Sequence, residues 1–173
     1  ARGAVFGEKL GWERPNWFAS AALGEADHDV YTYERQNWFA AVGREHTACR
    51  DAAVLIDQTS FAKFALKGPD ALTALDWICA NNVRRPVGSL TYTQMLNDQG
   101  GIEADLTVAR VADDEFYIVT GTGFASHDFD WIRRNIPSGA NAQLFDVTSA
   151  YSVLTLMGPA SRSILSTVTA ADL

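Results

Sequence analysis

"YTQMLNDQGGIEADLTVARV", residues 92–111, decides the fold. Two alternating stretches flank a Gly-Gly pair, so the segment reads as a β-hairpin with its turn at 98–101. Gly100 and Gly101 accept positive φ, as tight hairpin connections often require. Counting out from that turn, Asn97 faces Ile102, Leu96 faces Glu103, Gln94 faces Asp105 and Tyr92 faces Thr107. One sheet face then carries Tyr92, Gln94, Leu96, Glu103, Asp105 and Thr107. The other carries Met95, Ile102, Ala104, Leu106 and Val108, a core face. The polar face has two readings. It is a solvated strand face, or it is a ligand wall, with the Tyr92 ring to stack on a flat heterocycle and the Asp105 carboxylate to meet a nitrogen. Period alone leaves both open, and a one-residue slip would move Asp105 to the other side. Glu103 reads as a rim or solvent acid.

The flanks repeat strand and helix signals. Upstream, "AVLIDQTSFAKFALKG" (53–68) has strand character, and "GPDALTALDWICANN" (68–82) reads as a helix with Pro69 in its first turn and an apolar stripe at Leu72, Leu75, Ile78 and Cys79. Further back, residues 34–53 look helical, with Gly43 a point of division or kinking. Residues 1–33 hold no period and read as mostly irregular. Trp12, Trp17 and Phe18 there must cover something. Downstream come a strand, "EFYIVTGTG" (115–123), and a helix over 126–136 with Ser126 as N-cap. One or two strands follow over 142–158, then a last helix from Gly158. "FALKGPDALTALDWI" and "LTLMGPASRSILSTV" share one plan of strand, Gly-Pro and helix. The mixture of elements with an antiparallel hairpin points to α+β.

Composition narrows the functional classes. The 173 residues are 47% hydrophobic and 20% charged, which suits a globular core. A formal net charge of -7, with only short basic clusters ("NNVRRP", "WIRRN"), argues against nucleic acid. No run approaches a membrane span. Cys49 and Cys79 lack CxxC spacing and read as buried free thiols. His28, His46 and His127 share no ligand spacing, so no metal site is expected. The chain opens on Ala1 and stops in a helical pattern at "TVTAADL", which reads as a piece of a longer polypeptide.

Several motifs together resemble the folate-binding aminomethyltransferase family, which includes the glycine-cleavage T-protein. They are "EHTACRDAAVLIDQTSFAKF", "KGPDAL", "YTQMLNDQGGIEADLTV", "FYIVTGTG" and "LMGPASR", in that order. The opening "RGAVFGEKLGWERPNWF" and the ending "GPASRSIL…ADL" are similar to the folate module near the C-terminal side of FAD-dependent sarcosine and dimethylglycine dehydrogenases. The resemblance covers nearly the whole chain. It implies the N-terminal part of the T-protein-like α+β fold. Residues 1–56 would begin a first subdomain, 57–148 would form a second carrying the hairpin, and 149–173 would return to the first.

The resemblance also implies a site. The family's catalytic aspartate matches Asp105, beside Ala104 where many members have a second acid. A tyrosine lining the folate site matches Tyr92, and Phe61 stands where the T-protein usually has a Met near the pterin. Gly121-Thr122 replaces the Asn-Ala of many T-proteins. The implied partners are reduced folate and an iminium or formaldehyde derived from an N-methyl amine. Tetrahydrofolate would become 5,10-methylenetetrahydrofolate. FAD would belong to an upstream domain of the same polypeptide, since this chain has no Gly-x-Gly-x-x-Gly fingerprint, and the isolated piece would be inactive. Further folate residues, including a glutamate, would lie beyond residue 173. Two other readings stand beside this one: a T-protein working with a lipoyl carrier, against which the "GWERPNWF" leader argues, and a non-catalytic folate-binding relative. The implied location is the bacterial cytoplasm or the mitochondrial matrix.

Overall fold

A computed structural model describes residues 3–173. In chain order the elements are β1 (Ala4–Lys9), β2 (Trp12–Phe18), α1 (Phe39–Asp51), β3 (Val54–Asp57), β4 (Ala62–Lys67) and α2 (Ala71–Ile78). Then come β5 (Leu90–Leu96), β6 (Ile102–Arg110), β7 (Glu115–Thr120), α3 (Ala125–Asn135), β8 (Gln143–Asp146), β9 (Leu154–Met157) and α4 (Ser161–Leu165). The chain divides into two compact units. One holds the described residues up to Gln58 together with Leu154–Leu173; the other is Thr59–Val153. Among the described residues no helix is long and apolar enough to cross a membrane.

The larger unit is an antiparallel five-stranded sheet in the order β5-β6-β7-β4-β8. Its core collects one parity of every strand. Met95, Ala104, Leu106, Val108, Phe116, Ile118, Ala62, Phe64 and Leu66 pack with Ala71, Ala74, Leu75 and Ile78 of α2 and Ile132 of α3. The helices therefore seal one face of the sheet, as an apolar strand face demands. Burial pushes the Cys79 thiol up to about 12, so it behaves as a small apolar group. Central β4 is buried on both sides from Ala62 to Leu66, so its alternation is masked.

The other unit contains two small ladders. β1 and β2 form a hairpin whose turn residues Leu10 and Gly11 both have positive φ, 54° and 81°, as a two-residue type I′ turn requires. Val5, Trp17, Ala19 and Ala41 are buried together against Trp38 and Val42. The Trp17 indole N–H donates to Asp29 Oδ1 at 2.8 Å. β3 pairs with β9, antiparallel.

Several expectations need correction. Within 1–33, where irregular structure is expected, a hairpin occupies 4–18; residues 1 and 2 lie outside the described residues. Pro15 disguised it. In a two-stranded ribbon both strands are edges, and an edge tolerates Pro. The strand signal over 53–68 splits into β3 and β4, which lie in separate sheets. Gly43 neither divides α1 nor ends it, and that helix starts five residues later than the pattern suggested. Ser126 is not the N-cap of α3; Phe124 occupies that position without a side-chain cap, and a 3-10 turn at Thr122–Phe124 leads in.

The repeated Gly-Pro plan has a local cause. Gly68 follows β4 and Gly158 follows β9, with φ of 134° and 122°. A Cβ on Gly68 would sit 2.2 Å from the Asn141 carbonyl oxygen, and one on Gly158 2.4 Å from that of Ala52. Each position needs glycine twice over, for φ and for the backbone pressed against it.

Candidate functional site

The other face of the five-stranded sheet, open along β5 and β6 and covered at β4, carries the second parity. Gln94 lies directly opposite Asp105, and Tyr92 opposite Thr107. Thr107 is followed across the sheet by Val119 of β7 and then Lys63 of β4. These pairings put Tyr92, Gln94, Asp105 and Thr107 on one wall, as the alternation predicts.

Tyr92 and Asp105 are brought together. The phenol of Tyr92, 60% exposed, is held above its ordinary value first by its hydrogen bond to Asp105 and then by desolvation. Gln94 Nε2 donates to Asp105 Oδ1 at 3.1 Å. Asp105 is exposed. A flat aromatic ring and a carboxylate already supplied with donors therefore stand side by side on open sheet.

Phe61 is placed further off. It is half-buried and sits just before β4, two strands from β6, roughly 10 Å across at ordinary strand spacing. Gly121 continues β7 in extended backbone (φ -64°, ψ 143°) between the two levels. A Cβ there would touch only the Phe124 ring, at 3.4 Å.

The two acids of the hairpin part company. The ladder shifts between Met95 and Leu96, so Leu96 pairs with Ile102 and Met95 with Ala104, leaving Glu103 as the extra residue of a bulge. The expected partners Leu96–Glu103 and Asn97–Ile102 are thus corrected, and Ile102 is 68% exposed instead of belonging to the core face. Glu103 is not a solvent acid either. Asn97 Nδ2 donates to Glu103 Oε1 at 2.8 Å, and His127 Nε2 lies 3.5 Å from Oε2. The other ring nitrogen of His127 meets Asp128 Oδ1 at 2.9 Å, and buried Asp128 accepts a 2.6 Å bond from the Thr120 hydroxyl. The Asp128 carboxylate beside it, followed by Glu103, holds the imidazole above its ordinary value. The ring also stacks on Trp131. This cluster ties the hairpin tip to α3.

Lys63 was not singled out from the sequence. It is fully buried, shares the face of Asp105, and its Nζ donates to the Thr59 carbonyl at 2.6 Å. A lysine inside an otherwise apolar strand was the available signal. Among the described residues no group of three His, Cys, Asp or Glu side chains could hold a metal ion. In the other unit, a hollow lined by Asn16, Trp17, Asp29, Trp38 and Val42 has its one acid already bonded to the indole.

The profile of the family described as "GCVT N-terminal domain" matches residues 1–173. The chain belongs to this family. As a GCVT N-terminal domain, it is 36% identical to "Sarcosine dehydrogenase, mitochondrial" of Homo sapiens, over 99% of this chain and 23% of that protein. It is 39% identical to "4-methylaminobutanoate oxidase (formaldehyde-forming)" of Paenarthrobacter nicotinovorans, over 98% of this chain and 20% of that protein. The chain thus spans less than a quarter of the length of these curated relatives. The glycine cleavage system aminomethyltransferase T from Bartonella henselae superposes with a TM-score of 0.73 at 24% identity, over 96% of this chain and 40% of that one. The fold is therefore the N-terminal part of the aminomethyltransferase T fold, and the GCVT N-terminal domain is α+β, as its elements suggested.

Proposed function

We propose that this domain forms part of a tetrahydrofolate site that takes up the one-carbon unit of an oxidised N-methyl amine, such as sarcosine or dimethylglycine, to give 5,10-methylenetetrahydrofolate. The observation that carries the reading is that Tyr92 and Asp105 are diagonal neighbours on one exposed face of the β5–β6 pair. The residues suit a reduced pterin. Tyr92 offers a ring for stacking, Asp105 an acceptor for an N–H, and Phe61 an apolar surface. In this reading residues 57–148 are the subdomain that carries the site, and 1–56 with 149–173 belong to its neighbour. FAD acts from another domain of the same polypeptide.

When bound, reduced folate supplies the nucleophilic nitrogen. Asp105 accepts the hydrogen bond from that nitrogen, stabilises the positive charge that develops on it as the new C–N bond forms, and receives or relays its proton. Tyr92 fixes the ring so that the nitrogen faces the incoming carbon. The name of the 39%-identical oxidase, "formaldehyde-forming", favours a second reading in which the one-carbon unit leaves as formaldehyde.

Both readings are separated by Asp105→Asn in the intact protein, with methylenetetrahydrofolate, free formaldehyde and amine oxidation measured in parallel. The folate reading expects at least a 100-fold loss of the folate product, with amine oxidation unchanged. Equal loss of oxidation and folate product would sink the assignment of Asp105. Free formaldehyde from the wild type, undiminished by added tetrahydrofolate, would favour the second reading.

A further inference from the structure

We propose that Gln94 is a positioning residue that holds the Asp105 carboxylate in register with the attacking nitrogen; the proposal rests on the folate reading above. Asp105 stands on an exposed sheet face, where a short carboxylate turns freely unless something fixes it. Gln94 is its direct cross-strand neighbour, and Nε2 donates to Oδ1 at 3.1 Å. The amide is a neutral donor, so it holds the carboxylate without taking its charge. Gln94 is itself half-buried, so its head group has less freedom than that of a fully exposed residue.

The Gln94 bond sets the direction of the carboxylate that the proposed chemistry uses. An ionised carboxylate has about four lone-pair sites. The donor from Gln94 therefore leaves acceptor capacity for a ligand N–H, now in a defined direction. The other acid of the hairpin cannot substitute, because Glu103 is engaged by Asn97 and His127. Orientation paid for in advance lowers the barrier at the reacting step without tightening substrate binding.

The test uses the intact protein carrying Gln94→Met, Asp105→Asn or both. Methionine keeps the length of the side chain and removes the donors. Gln94→Asn keeps the amide but draws it back by one carbon, and it guards against a packing fault from the thioether. Expected for both Gln94 variants is a kcat for folate product about tenfold lower. KM for tetrahydrofolate and the rate of amine oxidation stay within about twofold of wild type. In the Asp105→Asn background, Gln94→Met then costs no further than about twofold, because its effect runs through the carboxylate. A wild-type kcat in both variants overturns the proposal. So does a rise in KM alone, which makes Gln94 a folate contact. An undiminished tenfold loss in the Asp105→Asn background overturns it as well. A wild-type protein that makes no folate product overturns the folate reading and this proposal together. A failure of the proposal alone leaves the wild type and Asp105→Asn behaving as that reading requires.

Discussion

The hairpin at residues 4–18 and the hairpin at 90–110 are made of strands of similar length, yet only one carries the candidate site. The first stays two-stranded, and only Val5 and Trp17 of its strands are buried. The second is continued by β7, β4 and β8 and is sealed on one side by helices. With its stability drawn from Met95, Ala104, Leu106 and Val108, its other face is free to carry Tyr92, Gln94 and Asp105. A hairpin that must use its few inward residues to stay folded has no such freedom.

The largest effect separating the two should come from Trp17→Ala. Loss of the buried indole and of its bond to Asp29 is expected to cost about 3–5 kcal/mol. Amide hydrogen exchange should then show protection lost over β1, β2 and α1 and retained over β5–β7. Equal loss in both regions would break the comparison.

A smaller effect is expected at the tip of the second hairpin. His127 has its folded value raised by Asp128 and Glu103, so its contribution is full below the ordinary histidine value of about 6.5 and fades as pH rises through the raised one. The gap in melting temperature between wild type and His127→Gln should be widest near pH 5.5 and shrink toward about pH 9. A gap of constant width would mean that Trp131 stacking, not charge, holds the ring. The smallest effect belongs to the open face. Asp105→Ala should change stability by no more than about 0.5 kcal/mol in a urea titration; a loss several times larger would make Asp105 a structural residue.

The second hairpin was legible because four apolar residues at period two fix which way Asp105 points. Its tip was not. The period breaks where Glu103 is inserted, and no feature of "GGIEAD" announces the extra residue. In the first hairpin Pro15 and the exposed charges outweighed the turn signal at Leu10-Gly11. Of the candidate site, the adjacency of Tyr92 and Asp105 followed from register. The burial of Lys63 and the bond from Gln94 to Asp105 depend on side-chain packing and hydrogen-bond geometry, to which a hydrophobic pattern is blind.

The bulge at Glu103 also gives the hairpin slack in its length. The pairs Gln94–Asp105 and Tyr92–Thr107 are held by residues on the sealed side, all of them beyond the bulge as counted from the turn. Deleting Glu103 would straighten the ladder while leaving Asp105 opposite Gln94, and an added residue between Gly101 and Ala104 would lengthen the loop instead of shifting the strand. Insertions and deletions at this tip would therefore be absorbed locally, and the reach of the loop could drift over generations while the acid beneath it stayed in place.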